Sequence, residues 1–573
     1  MDAARQASIA FGLAPRLRPK LLAHLHRPPI ELVWRAPYVG LANWPGAQPR
    51  RRRRGRPPPA QVEPQPTDAG PAEKEDEIDL SPMRVEEGGE CSTLPTAATP
   101  SIPSSWDAIL GNRSELLLHV QSYFSTVHYY GFLTFIHEPS FYQLLDKGAA
   151  PRDLTLMLVV CSLQFAHEDP AARSRASTVY SEVYKTIQEN VFQRNDAVHL
   201  MTLLLARVYE AARGNFVTSW TMCGLIVRTM QFLSLHTFDE TYNTQAPTVR
   251  HNPLLKPEAL RRVAWAVFYL DTLADTGQHG VHLVTDTAFR IQLPCDEASF
   301  VRGIDVETAR LHDLRCSVPN PLIAHSPNGE GPSHVGISGH LMRTAAMRRR
   351  VLHFDSLIQH STDTSAKILA DLADFEQHLR KVISDLPDDL AYSDHNLFVQ
   401  ARRLPAFLFL HLLRHNCFLM LAKARLNVCS RAPSLKDFAL SVCRERIRHA
   451  IPVSRIVADI IRLGVNCSPA VGVQAYTSLE ILLYDPLLLS EIDSSVKPRE
   501  PRFTGALRTL LECIRQQARR DERNRLMHLE ACSRLVGCSF EDLLTPSDWE
   551  KCKKQVAPYL AFPSVELTRQ GKA

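Results

Sequence analysis

Near the end of this chain stand His528, Cys532, Cys538 and Cys552, donor types that a zinc ion accepts. His528 and Cys532 are four residues apart, so on a helix both side chains could face one ion. The full spacing follows no zinc pattern, however. Leu526, Leu529, Cys532 and Leu535 share helical spacing, which predicts buried cysteines and no metal site. His167-Glu168-Asp169 before Pro170 offers further ligand types, but a solvated helix end accounts for them more simply. Gly329-Glu330-Gly331 lies in a proline-rich stretch rather than between a strand and a helix, so it cannot cradle a phosphate in the usual way. Serines and histidines are plentiful, yet no nucleophile elbow frames any of them. No catalytic residue is assigned on this reading, and an enzyme is not expected.

A different chemistry is offered by Arg50-Arg51-Arg52-Arg53-Arg54-Gly55-Arg56-Pro57. The Arg54-Gly55-Arg56-Pro57 core resembles an AT-hook, in which glycine lets the backbone lie deep in a narrow A·T minor groove while the arginines enter its negative potential. Arg52-Arg53 stand where that motif has a proline, so the match is partial. The same block could serve as a nuclear import signal, as a non-specific phosphate binder, or as a tail with no function of its own. Acidic residues are confined to Asp2 and Glu31 in the first fifty positions, as in an organellar presequence, but serine is scarce there. Glu73 to Glu90 is acidic instead, with Ile78, Leu80, Met83 and Val85 among the charges. That run reads as a solvated linker or an activation segment for a coactivator, and Ser81-Pro82 within it could accept a phosphate.

These motifs must be carried by a framework, and the composition describes one. The chain has 573 residues, 45% of them hydrophobic, enough for a large core. Its formal net charge of +5 is small but unevenly spread, basic before Pro59 and acidic after it. Thirteen scattered cysteines without a C-x-x-C fit reduced thiols better than a disulfide framework. The sequons at Asn112 and Asn466 are then chance matches. No membrane span is expected, because the best candidate, Leu404 to Ala424, is interrupted by His411, Arg414, His415 and Asn416.

Residues 1–105 are proline-rich and aperiodic, which predicts a disordered basic then acidic tail. From Trp106 the apolar residues recur every three or four positions, in Leu116–Phe124, Leu154–Phe165, Val198–Tyr209, Trp220–Leu233, Leu404–Leu421 and Ile447–Ile461. The expected fold is all-α, a multi-helix bundle. Residues 106–316 form its first helical part and residues 339–573 its second. The proline- and glycine-rich stretch 317–338 reads as a mobile joint between them.

The most specific pattern runs from Pro257 to Pro294. Pro257 suits the first helical position, and Glu258 precedes Arg262 by four residues in the favourable ion-pair order. Leu260, Val263, Ala264, Val267 and Leu270 share one face, with Arg261, Arg262 and Tyr269 opposite. Asp271 falls within the apolar face, so it requires a donor from another helix or the following loop, unless it ends the helix at a wet edge. The Trp265 ring, four residues after Arg261, could pack beneath that guanidinium.

Glu258, Arg261, Arg262, Trp265 and Asp271, followed by a loop with Gly280 and closing at Leu293-Pro294, resemble the signature of the fungal-specific transcription factor domain. This is the middle homology region of fungal binuclear zinc-cluster regulators. Two further segments agree in order: Tyr123-Phe124, Val127-His128 and His137 to Phe141 with Pro139 upstream, then Trp220, Gly224, Arg228 and Leu233 to His236. The likeness covers about residues 106–300 and continues more weakly to the Cys443 helix. Ser234 departs from it, standing where the family has glycine, and the loop at Gly277 to Gly280 lacks the family's Gly-Arg-Pro. The resemblance implies a nuclear regulator of transcription with DNA as partner, besides a coactivator, a homologous transcription factor or a second copy in a homodimer. It also implies zinc in a six-cysteine N-terminal cluster. Here Cys91 is the only cysteine before Cys161, so zinc is expected only if such a module belongs to a longer form of the protein. DNA contact would fall to the basic tail or to that module. Alternatively, the chain acts as a co-regulator through a zinc-cluster partner.

Overall fold

The computed structural model describes residues 105–166, 169–241, 252–274, 282–312 and 335–551. The regular structure among these residues is helical, and the β pairing among them is limited to two isolated bridges, Gln292 with Arg310 and Cys295 with Val335. Before residue 313 come α1 (Ser105–Gly111), α2 (Arg113–Ser125), α3 (Glu138–Asp146), α4 (Arg152–Cys161), α5 (Pro170–Asn190) and α6 (Ala197–Ala212). They are followed by α7 (Phe216–Phe232), the short α8 (Phe238–Thr241), α9 (Pro257–Ala274) and α10 (Glu297–Arg302). After residue 334 lie α11 (Ile337–His360), α12 (Ser365–Ser384), α13 (Asp394–Val399), α14 (Leu404–Cys429) and α15 (Lys436–Arg462). The described chain closes with α16 (Ala470–Ser490), α17 (Pro501–Gln517) and α18 (Glu522–Gly537).

Helix starts are fixed by side chains that accept the first free amides. Asn112 caps α2, Asp169 caps α5, Asp196 caps α6, Asp296 caps α10 and Asp521 caps α18. Asn112 and Asp169, which the sequence offered as a glycosylation acceptor and a metal-ligand type, are therefore accounted for as caps. The periodic stretches fall on helices, with Leu154–Phe165 running from α4 into a π turn at Ser162–Ala166 and Leu233 standing as the C-cap of α7.

Helix α14 lies at the centre, packed against α11, α12, α15 and α16. By length and composition it could cross a membrane, but 83% of its apolar window is buried in the fold. A helix apolar on all sides is what a core position requires. Its polar interruptions are paired: His411 Nε2 meets the Leu390 carbonyl at 3.0 Å, Arg414 donates to the Ile383 carbonyl, and Asn416 Oδ1 accepts from Arg348 Nε at 2.7 Å. His415 and His449 share a hydrogen bond of 3.2 Å between their Nδ1 atoms.

One hydrophobic cluster runs from Ile109 to Leu543, so helices on both sides of residues 313–334 contribute to the same core. Polar contacts tie the chain's beginning to its end at the π turn. Gln164 Nε2 donates to the Arg520 carbonyl (2.8 Å), while Arg520 Nη1 and Asn466 Nδ2 both donate to the Phe165 carbonyl (3.1 and 3.0 Å). Ser234 has φ 53° and ψ 28°, left-handed backbone that glycine enters without cost and serine does not. The serine thus occupies a turn whose geometry suits the family's glycine.

Candidate functional site

Helix α9 begins at Pro257 as its sequence predicts, but it is buried on every side rather than on one face. Arg262 and Tyr269, placed opposite the apolar stripe by the helical wheel, are 2% and 1% exposed. The reason is that α9 packs between α7, α6 and α11, with Phe132 stacked on Tyr269 at 4.7 Å. Its charged residues are consequently interior groups, and each is paired.

Arg262 is the hub. Its Nε donates to Glu258 Oε1 (2.7 Å), its Nη1 to Thr134 Oγ1 (3.0 Å) and its Nη2 to the Cys295 carbonyl (2.7 Å). Glu258 Oε1 also accepts from Cys295 N at 2.9 Å, and Glu297 Oε1 lies 3.6 Å from Arg262 Nη1. The guanidinium caps the Phe300 ring at 4.2 Å. Burial alone would weaken the Arg262 charge, but Glu258 and Glu297 outweigh it and hold the group protonated. Ser338, at the start of α11, donates to Glu297 Oε1 and meets Thr134, which extends the network past residue 334. Gly336 passes so close to Cys295 that an added Cβ would sit 2.5 Å from its carbonyl oxygen, so this crossing needs glycine.

Arg261 reaches the other way. Its Nε donates to Asp239 Oδ1 (2.7 Å), and Asp239 Oδ2 accepts from Gln292 N (2.7 Å). Trp265 does not lie beneath Arg261, because its Nε1 donates to the Gln292 carbonyl at 2.7 Å and its ring stacks on Phe289. Asp271 takes its donors from the following loop and a counter-charge from another helix. From the following loop the amides of Leu283 and Val284 donate to it at 3.1 and 3.2 Å, and from α11 Arg349 Nη1 approaches to 3.6 Å. At 3% exposure it does not end the helix at a wet edge.

The other signature residues have local tasks. His137 caps α3: its Nδ1 accepts from Ser140 N at 3.2 Å, and its Nε2 is then the donor to the Val301 carbonyl at 3.2 Å. Pro139 stands in the first turn of α3, and Phe141 is fully buried beside Phe124. Pro294 accepts from Gly336 N at 3.1 Å. Trp220, by contrast, is 48% exposed, and Arg228 Nη1 donates to its neighbour Gln231 Oε1 at 3.0 Å. A Cβ added to Gly224 would meet nothing within 4 Å, so no close packing explains that glycine.

A cavity of about 400 Å³ opens between α11 and α12, with Leu311, His312, Arg343, Met347, Arg350 and Lys381 in its lining. Its cations suit an anionic group. Arg350 Nη2 donates to Asp286 Oδ2 at 2.9 Å. Burial raises the Asp286 carboxyl, but Arg350 outweighs it and holds the group below the ordinary range. Arg349 and Arg350 are consecutive, so the cavity wall and the charge partner of Asp271 belong to one helical turn.

Near the C-terminus, His528 and Cys532 do face one another, and Asp548 joins them (Cys532 Sγ to His528 Nε2 3.6 Å, His528 Nε2 to Asp548 Oδ1 3.4 Å). Asp548 carried no sequence signal, since it is sixteen residues beyond Cys532 on a different turn. Cys538 is only partly buried and lies outside this group, and Cys552 lies outside the described residues. Arg50 to Pro57, the acidic run, His167-Glu168, Gly277 to Gly280, Gly329 to Gly331 and residues 317–334 of the expected joint lie outside them as well. A binuclear zinc cluster does not fit the cysteines this chain carries: Cys91 alone precedes Cys161, and the described cysteines are dispersed, nearly all of them buried in the bundle.

The geometry of α9 is that of a helical scaffold, in which buried charge holds loops and helices in register. Residues 120–327 match the family model of the fungal specific transcription factor domain. No curated protein and no solved structure matches the chain.

Proposed function

We propose that this chain is a nuclear regulator of transcription of the fungal zinc-cluster type, in which the helical domain controls gene expression. The observation that supports this is the domain match over residues 120–327. The α9 network adds a physical reason for a regulatory part that keeps its shape, because its buried charges fix several segments at once. The cationic cavity between α11 and α12 suits an anionic effector, and its Arg350 is the chain neighbour of Arg349, the charge partner of Asp271. DNA contact falls to Arg50–Pro57, whose Arg54-Gly55-Arg56 core fits a narrow minor groove, or to a module outside this chain.

A second reading has its own observation. Cys91 is the sole cysteine before Cys161, so the chain cannot build the six-cysteine cluster itself, and it would then act as a co-regulator through a zinc-cluster partner. Titrating the purified chain against A·T-rich and random duplexes at two salt concentrations separates the two. Preference for A·T-rich DNA that is lost in R54A/R56A is the result expected for tail binding. No binding to either duplex at low salt overturns it and leaves the partner-dependent reading.

A further inference from the structure

We propose that His528, Cys532 and Asp548 form a binding site for a zinc-class divalent cation, open on one side to a cleft formed with α17.

The three side chains come from two places, His528 and Cys532 one turn apart on α18 and Asp548 from the helical stretch 546–551 that follows it. They are 5%, 1% and 1% exposed, and their ligand atoms all lie within 4.8 Å of one another. In a tetrahedral zinc site, bonds of about 2.0–2.1 Å to nitrogen or oxygen and about 2.3 Å to sulfur place neighbouring donors roughly 3.3–3.6 Å apart. The separations here are 3.4 Å between His528 Nε2 and Asp548 Oδ1, and 3.6 Å between His528 Nε2 and Cys532 Sγ. Two edges of the tetrahedron are therefore already at coordination length.

The same geometry excludes the nearest alternative use of a cysteine, a histidine and an aspartate. A nucleophile relay places the thiol on one ring nitrogen and the carboxylate on the other. Here both approach Nε2, so no relay can run through the ring. Convergence on one nitrogen is the arrangement expected of donors that surround a common point.

Asp548 is also oriented as a ligand. Its Oδ2 accepts from Arg515 Nη2 (2.6 Å), Thr545 Oγ1 (2.6 Å) and Thr545 N (3.2 Å), which leaves Oδ1 as the oxygen turned to His528. Such outer partners fix a ligating carboxylate. Arg515 is in turn paired with Glu512, so its charge is balanced before any cation arrives. Binding a dication would displace the Cys532 thiol proton to solvent, and thiolate plus carboxylate would then neutralise the ion. A cleft of about 700 Å³, lined in part by His528, Asp548, Arg519, Arg525 and Lys551, adjoins the cluster. The fourth position would therefore be filled by water or by an anion from the cleft, as in zinc sites with three protein ligands.

Cobalt(II) titration of the purified full chain provides the test, because a thiolate-to-cobalt charge-transfer band reports the sulfur ligand directly. Expected is a saturable band at one ion per chain, displaced by zinc chloride and absent from Cys532→Ser. Asp548→Asn should bind at least 10-fold more weakly, since loss of a mere outer partner costs about 10–100-fold. Absence of the band from the wild-type chain overturns the proposal without reference to any variant. An undiminished band in Cys532→Ser, with helical circular dichroism unchanged, overturns it too.

Discussion

Replacing Arg262 by methionine tests whether the buried charges of α9 hold the domain together. The substitution keeps an unbranched apolar side chain of similar length but removes the donors to Glu258, Thr134 and the Cys295 carbonyl. Glu258 would remain buried with the Cys295 amide and with Arg261, whose Nη1 is 3.7 Å from its Oε2. Breaking a buried ion pair by removing one partner costs about 3–5 kcal/mol, and a buried carbonyl left unpaired adds about 1–3 kcal/mol. Arg261 recovers part of this, so a loss of about 4–5 kcal/mol is expected. Glu258→Gln with Arg262→Met removes the stranded carboxylate, and the double variant should be more stable than the sum of the single losses predicts by at least about 1.5 kcal/mol. The assay is urea unfolding followed by helical circular dichroism for the wild type, both singles and the double. A loss below about 1 kcal/mol for Arg262→Met, or strict additivity in the double, would refute the reasoning.

Two further outcomes follow from backbone and burial. Ser234→Gly removes a left-handed strain of about 1–2 kcal/mol, offset by about 0.5–1 kcal/mol of glycine's extra freedom when unfolded, so a melting temperature higher by about 1–2 °C is expected; a lower one refutes it. Stability should fall between pH 6.5 and 4. Burial, aided by neighbouring arginines, holds His128, His340 and His411 down at about 3, so the unfolded chain takes up protons first as the pH drops below 6.5. That amounts to about 2 kcal/mol each at pH 5, about 6 kcal/mol in all. Burial also pushes Glu480 up to about 7 and Asp485 up to about 6, against Arg534 and Arg446, so for these two the folded chain protonates first and gains about 3–4 kcal/mol from pH 7 to 5. The histidines win by about 2 kcal/mol at pH 5 and by more at pH 4. Melting temperatures that stay flat or rise from pH 6.5 to 4 would contradict this balance.

What the sequence revealed of this fold was whatever has a short period. Helices with apolar repeats, the start of α9 at Pro257 and the need of Asp271 for a donor could all be read from residues within a few turns. The partner of Asp271 on α11 could not, because Arg349 lies 78 residues away and shows only an arginine among arginines. Asp239 with Arg261, Thr134 with Arg262 and Asp548 with His528 escaped for the same reason: pairing across a bundle leaves no local spacing. The helical wheel also erred in a specific way, assigning Arg262 and Tyr269 to a polar face. A wheel gives the angle of a residue about its helix, whereas burial depends on how many neighbours surround that helix.

This difference separates recognition of the domain from knowledge of its targets. Most of the signature residues on α9, and His137 with them, are buried and bonded to backbone or to counter-charges. A residue in that situation is fixed by the fold, since altering it strands a partner in the interior. Such residues identify the domain whatever it acts on. Trp220 and Arg228 are exposed on α7. Substituting Trp220 with alanine should therefore cost less than about 1 kcal/mol of stability in the same urea assay, where Arg262→Met costs several. A loss as large as that of Arg262→Met would place Trp220 within the scaffold and remove α7 from the surfaces through which a regulator of this kind could meet a partner.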